Sequence, residues 1–299
     1  MRSKQLLICD LDNTLYDWVG FFVPSFYAMV DAAIEVTGCD RDKLLEDFRT
    51  VHQKYGDSEH PFALLETETM RQLYRGASSG AVLAALNPAF HAFNSSRKRT
   101  LHLHRGVSET LGLLRAHGVR LIAHTESKLY SVIDRLNRLD LFKYFDKIYC
   151  RQRSTSPHPD PHVGSEWLAR FPTEKIIELS RHQAKPNPAV LLEICESEET
   201  APENAAYVGD SIARDILMAK RANVFAIWAS YGAYRDAHMY QALVRISHWT
   251  ADEVAREKIL NEEAKNVAPD YILRDSFEEI LAAINIGQAE HPPAQSAHA

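Results

Sequence analysis

The chain lacks the features that announce several common protein classes. Its four cysteines, Cys9, Cys39, Cys150 and Cys195, stand far apart with no C-x-x-C pair, which argues against a zinc ribbon or a disulfide-stapled fold. None is followed, after five residues, by an arginine, so cysteine-phosphatase chemistry is not indicated. Neither G-x-x-x-x-G-K-[ST] nor G-x-G-x-x-G occurs, and nucleotide binding through those loops is not indicated either. Basic excess is missing too. With 34 Lys and Arg against 40 Asp and Glu the net charge is -6, which gives no electrostatic reason to expect nucleic acid or an anionic membrane. The longest apolar run, Trp18 to Val30, contains Pro24 and ends at Asp31, short of a membrane span. Asp10 interrupts the only candidate signal-peptide core. A reduced, cytoplasmic setting and a small-molecule partner are expected, while oligomeric state is left open.

What is present is an ordinary globular composition, 45% apolar over 299 residues, enough for one large domain or two modest ones. Leu6, Leu7, Ile8 and Cys9 read as a strand buried on both faces, and Asp10, Asp12, Asn13 and Thr14 follow at once. From about Asp17 to Thr100 there is no convincing strand, and Phe26, Met29, Val30, Ala33 and Ile34 share a helical period. A βα rhythm starts at Arg105: a helix closed by Gly118, the strand "VRLIAH", a helix in "SKLYSVIDRLNRL", and the strand "KIYC". It continues with a helix in "NPAVLLEICES", the strand "AAYVG", a helix in "ARDILMAKRAN", and the strands "VFAIWAS" and "DYIL". Strands alternating with helices imply an α/β, doubly wound parallel sheet. The Pro-rich stretch 151–183 and the helical-looking stretch 233–268 read as surface elaborations, and the end of the chain as a disordered tail.

Polar residues just after these strands carry the chemical information. Asp10 and Asp12 follow the first strand, and Thr125 the second. Lys185 of "KPNP" comes after the long loop beyond the third, and Asp210 and Asp215 of "VGDSIARD" follow the fourth. Each has a bland reading: Asp10 and Asp12 as turn formers, Thr125 and Asp210 as helix caps, Lys185 as a solvated turn residue, Asp215 as a partner of the helix dipole. Together they are harder to dismiss, because a parallel sheet puts all four carboxyl ends on one edge. Several carboxylates converging there would repel without a cation, and oxygen-only ligands indicate Mg²⁺.

"DLDNTLYD", a threonine after a strand, "KPNP" and "GDSIARD" together resemble the four-motif signature of the haloacid dehalogenase superfamily. The closest likeness is to its phosphoglycolate phosphatase-like branch with a helical cap inserted after the first motif. The resemblance implies a Rossmann-like core in residues 1–16 and 101–285, an inserted α-helical cap in 17–100, and a tail in 286–299. It implies that Asp10 is the nucleophile of an aspartyl-phosphate mechanism and Asp12 the acid and base, with a small phosphate ester as substrate. Thr125 and Lys185 would bind the phosphoryl group. Mg²⁺ would be held by the Asp10 and Asp210 carboxylates and the Asp12 main-chain carbonyl, with Asp215 in support. Trp18, Phe22 and Glu126 are candidates for the substrate pocket, although aromatics at helical spacing more often pack inward. A phosphoryl-transferring mutase of the same superfamily remains an alternative.

Two readings come from other classes. "GASSG" matches G-x-S-x-G with Ser78 central, but a serine esterase needs a strand before its nucleophile, and "ETETMRQLYR" is helical in character. A non-catalytic binding module would have no need of Asp10 and Asp12 together.

Overall fold

The computed structural model describes residues 4–153, 158–233 and 236–284. Four apolar side chains in succession make β1 (Leu6–Cys9), and all four are fully buried. Because successive side chains leave a strand on opposite faces, Leu7 and Cys9 pack into one core cluster and Leu6 and Ile8 into another. Such a strand belongs in the middle of a sheet. Around it lie β2 (Arg120–Lys128), β3 (Lys147–Arg151), β4 (Ile176–Leu179), β5 (Ala205–Gly209), β6 (Phe225–Ala229) and β7 (Tyr271–Leu273). The sheet is all parallel, in the order β4-β3-β2-β1-β5-β6-β7. The chain works outward from β1 to β4 and then returns to lay β5 on β1's other side. That reversal opens a crevice between the carboxyl ends of β1 and β5. Cys9 pairs in register with Val208 of β5 and Ala123 of β2, so Asp10, Asp210 and Thr125 emerge at one edge.

The inserted α-helical cap comprises α1 (Trp18–Thr37), α2 (Arg41–Tyr55), α3 (Ala63–Glu66), α4 (Glu68–Leu73), α5 (Ser79–Ala85) and α6 (Asn87–Thr100). Asp17 starts α1 by accepting the Gly20 N–H at 2.7 Å, and Gly38 ends it in the left-handed region. Against the sequence expectation, α1 has the length and hydropathy of a membrane span; half of it is buried inside the protein, and it runs along α6. Past the cap follow α7 (Val107–Ala116), α8 (Leu129–Arg138), α9 (Pro161–Leu168), α10 (Pro188–Ser197), α11 (Leu217–Arg221), α12 (Ser230–Ala233), α13 (Ala237–Ile246), α14 (Ala251–Ala264) and α15 (Ile280–Ala283).

Neither long insertion is mere surface elaboration. Stretch 151–183 holds α9 and the edge strand β4, which is only four residues long and includes Glu178, too little apolar pattern to read as a strand. Stretch 233–268 is α13 and α14. The first packs against α1 and α2, and the second covers a single π-helical turn, Ile212–Ile216, where Arg214 pairs with Glu257 at 2.6 Å. The expected tail, 286–299, lies outside the described residues.

α13 is held to the cap by His52, whose Nδ1–H donates to the Ile246 carbonyl at 2.6 Å. Burial pushes the His52 pKa from 6.5 down to about 4, so the ring is neutral in the folded chain. Its stabilising contribution is therefore complete above pH 6.5 and is lost as pH falls toward 4, because the unfolded chain takes up a proton that the folded one refuses. Unfolding measured at pH 7 and pH 4.5 should show wild type losing more stability on acidification than His52→Gln, by up to about 3 kcal/mol. Identical losses would contradict this assignment.

Candidate active site

Asp10 is the first residue past β1, and its N–H donates to the Val208 carbonyl of β5 at 2.9 Å. The chain then turns sharply, with the Leu11 carbonyl accepting the Thr14 and Leu15 N–H groups and Asn13 in the left-handed region at φ 60°. The turn swings Thr14 back, so that its hydroxyl donates to Asp10 Oδ2 at 3.0 Å. Beyond β5, the π-helical turn returns Asp215 to the same edge, where Oδ2 accepts the Ser211 N–H at 3.0 Å and Oδ1 accepts the Tyr207 hydroxyl at 3.1 Å. Only a glycine fits beneath it. A Cβ on Gly209 would lie 2.4 Å from Asp215 Cγ.

Lys185 arrives from β4, not from β3 as the sequence pattern implies, because β4 carries too little pattern to be legible there. Asn187 accepts the Ala189 N–H as the cap of α10, with Pro188 the first helical residue. That cap fixes where the lysine leaves the backbone. Lys185 Nζ donates to Asp10 Oδ1 at 2.5 Å and to Asp215 Oδ1 at 2.9 Å. Oxygens of Asp10, Asp210 and Asp215 lie within 4.8 Å of one another, and all three residues are buried. Burial pushes the Asp10 carboxyl well above its ordinary range; Lys185 opposes this, while Asp215 and Asp210 add to it. One ammonium does not balance three carboxylates. The set therefore lacks positive charge and offers only hard oxygen donors, which fits a divalent cation such as Mg²⁺.

Thr125 lies within β2, which continues past the expected end to Lys128; it does not cap a helix. It is fully buried, and its hydroxyl accepts the Ser127 N–H at 3.1 Å, leaving its own proton to donate. Asp12 stands apart from the cation set. Its Oδ2 accepts the Ser127 hydroxyl at 2.5 Å, and the Arg135 guanidinium lies 3.3 Å from Oδ1. Of the pocket candidates, Phe22 is packed away at 2% exposure. Trp18 stacks on it and donates its indole N–H to Glu59 at 3.1 Å. Glu126 braces the lysine loop, accepting the Lys185 N–H at 3.1 Å and pairing with Arg151 at 2.9 Å. Ser78 is an exposed helix cap that accepts the Ala81 N–H, and the residues before it form α4, not a strand.

Five residues of this neighbourhood have no role legible in the sequence: Thr14, Glu59, Ser127, Arg135 and Tyr207. Thr14 lies in the first motif and could have been found. The others lie in helix, strand or loop with nothing in their spacing to link them.

The haloacid dehalogenase-like hydrolase family model matches residues 4–223, and a HAD-hydrolase-like model matches 182–278. A glyceraldehyde 3-phosphate phosphatase of Methanopyrus kandleri is 27% identical over 236 residues, covering 77% of this chain and 85% of that one. Phosphoglycolate phosphatase 1 of Pseudomonas aeruginosa is 27% identical over 241 residues, covering 77% and 71%. Among solved structures, a 2-haloacid dehalogenase from Pseudomonas syringae superposes with TM-score 0.53 at 20% identity, covering 94% and 98%. A HAD phosphatase from Thermococcus onnurineus gives 0.52 at 17%, covering 93% and 97%. These two likenesses are of fold.

If Gly209 is small because Asp215 lies against it, the two positions are energetically coupled. Gly209→Ala should destabilise the wild-type chain and cost much less in an Asp215→Gly background, because the Asp215 Cβ itself would lie 2.6 Å from the new methyl; a coupling of about 1–3 kcal/mol is expected in a double-mutant cycle of urea unfolding. Additive losses would mean that the close approach is relieved elsewhere.

Proposed function

The chain belongs to the haloacid dehalogenase-like hydrolase family, and from that premise we propose that it is a Mg²⁺-dependent phosphatase of small phosphomonoesters, working through an aspartyl-phosphate on Asp10. The observation that carries the reading is the pairing of Lys185 with Asp10 at 2.5 Å at the switch point of the sheet, with Asp12 two residues on in a separate environment. Lys185 favours the ionised form of Asp10 against the effect of burial and offers its charge to the phosphoryl oxygens. An Asp10 carboxylate oxygen attacks phosphorus and the bond to the ester oxygen breaks. Asp12 gives its proton to the departing alcohol, and afterwards removes one from the water that attacks the same phosphorus. Inorganic phosphate leaves and the Asp10 carboxylate is restored. Thr125 donates to a phosphoryl oxygen. The residues that would hold Mg²⁺ are Asp10, Asp210 and Asp215 with the Asp12 main-chain carbonyl, and what it supplies when bound is compensation of phosphoryl charge.

Asp12 separates this reading from halide displacement, despite the likeness of fold to a dehalogenase. A halide leaves without a proton, whereas an alkoxide needs one. The two curated relatives act, by name, on glyceraldehyde 3-phosphate and phosphoglycolate, which supports a small, acyclic phosphate as substrate.

Phosphate release from a panel of such esters should require added divalent metal and stop with chelator. Asp10→Asn should lower it by about 10³-fold or more with the fold intact, and Ser78→Ala should leave it unchanged. Full activity in Asp10→Asn would refute the mechanism. Mg²⁺ should also raise the melting temperature of wild type but not of Asp210→Asn, since a ligand bound only by the folded state stabilises it.

A further inference from the structure

Arg135 breaks the pattern of its own helix. α8 buries Leu129, Val132, Ile133 and Leu136, and Arg135 is buried with them at 1% exposure. A guanidinium sealed from water is costly unless its donors are satisfied, and here they are all directed. Nε donates to the Tyr16 hydroxyl at 2.9 Å, and one terminal nitrogen donates to both oxygens of Glu59 at 2.6 Å. The other donates to Ser127 Oγ at 2.6 Å and lies 3.4 Å from Asp12 Oδ2. Ser127 passes the contact on, donating to that same Asp12 oxygen at 2.5 Å. The direct approach of Arg135 to Asp12 is long for a charge-assisted hydrogen bond, which is about 2.7–2.9 Å. The chain through Ser127 is short, so the direction of the Asp12 carboxylate is set by Ser127 and that of Ser127 by Arg135.

Glu59 belongs to the cap, in the turn between α2 and α3, and Trp18 at the cap's root donates to it as well. One fork of nitrogens thus joins a carboxylate of the cap to the carboxylate that the proposed mechanism uses for proton transfer. We propose that Arg135, acting through Ser127, is the positioning residue for Asp12, and that Glu59 of the cap completes the arrangement by holding the other edge of the guanidinium. Proton transfer needs donor and acceptor within about 2.6–3.2 Å, and a carboxylate free to swivel spends little time there. Lysine, a single point charge, cannot hold two carboxylates and a hydroxyl in one plane. The proposal rests on reading Asp12 as the acid and base.

The test compares two esters. An alkyl phosphate has a leaving group that must be protonated, whereas nitrophenyl phosphate releases a phenolate that needs no acid. The quotient kcat/KM reports cleavage of the ester bond and omits the later hydrolysis of the intermediate. For Arg135→Lys, kcat/KM on the alkyl ester should fall about 10–100-fold while that on nitrophenyl phosphate stays within about threefold. On the aryl ester kcat and KM should fall together, as activation of water becomes limiting. Equal losses on both esters would overturn the proposal and leave Arg135 as a tie between cap and core. Should Arg135→Lys fail to fold by circular dichroism, Ser127→Ala, which removes one hydroxyl, decides by the same comparison, with a selective loss of about fivefold or more expected. Asp12→Asn is the reference. If it discriminates between the esters and the Arg135 and Ser127 variants do not, positioning alone is refuted; if it does not discriminate, the reading of Asp12 falls and the proposal with it.

Discussion

Lys185 is the charge around which the rest of the site is arranged. Its ammonium is buried between Asp10 and Asp215, with Asp210 at the same edge. Burying ionised groups costs several kcal/mol each; the Asp10 and Asp215 carboxylates offset this by accepting from Lys185 and from neighbouring hydroxyl and backbone donors, and the set as a whole is left short of positive charge, which suits a divalent cation. Much of the local sequence serves that arrangement. Gly209 leaves room for Asp215, Gly232 lets the backbone of the first motif turn past it, and Asn187 with Pro188 fixes where the lysine departs. Burial also raises the pKa of Tyr207 well above its usual value, with Lys185 pulling the other way, so its hydroxyl stays protonated and donates to Asp215.

Asp10 and Asp12 show how environment divides labour between identical side chains. They are two residues apart, yet one faces the ammonium and two further carboxylates while the other faces a serine hydroxyl and a guanidinium. In the mechanism proposed for this chain, such separation would let one carboxylate attack while the other moves protons. The cap takes part through Glu59, and Lys128 reaches it as well, donating to the Tyr55 carbonyl at 2.7 Å. The second insertion grips the same segment from the other side: the Ser58 hydroxyl accepts the His248 N–H at 3.1 Å, and the Ile246 carbonyl accepts from His52.

The parts legible in sequence share one physical trait: they are local. β1 announces itself by four apolar residues, α1 by the helical period of its apolar side chains, and α10 by Asn187 and Pro188. The motif residues Asp10, Lys185, Asp210 and Asp215 could be placed on one edge because parallel sheets have a single carboxyl edge. β4 escaped because four residues with a glutamate among them carry almost no pattern. Glu126 is only a pocket candidate in the sequence, and what it braces is visible once Arg151 and the Lys185 backbone are placed in space. Arg135 was invisible for the same reason: on a helix of mixed composition an arginine is ordinarily solvated, and its partners come from the first motif, the cap and β2.

The central claim is that a phosphoryl group passes through Asp10. Enzyme mixed with a phosphate ester and metal, quenched in acid within a turnover and digested, can be examined by mass spectrometry for a phosphorylated peptide. A phosphoryl group on the peptide containing Asp10, lost on longer incubation before quenching, is the predicted result. Turnover with no phosphorylated peptide at any quench time, or with the group on another residue, would contradict the account.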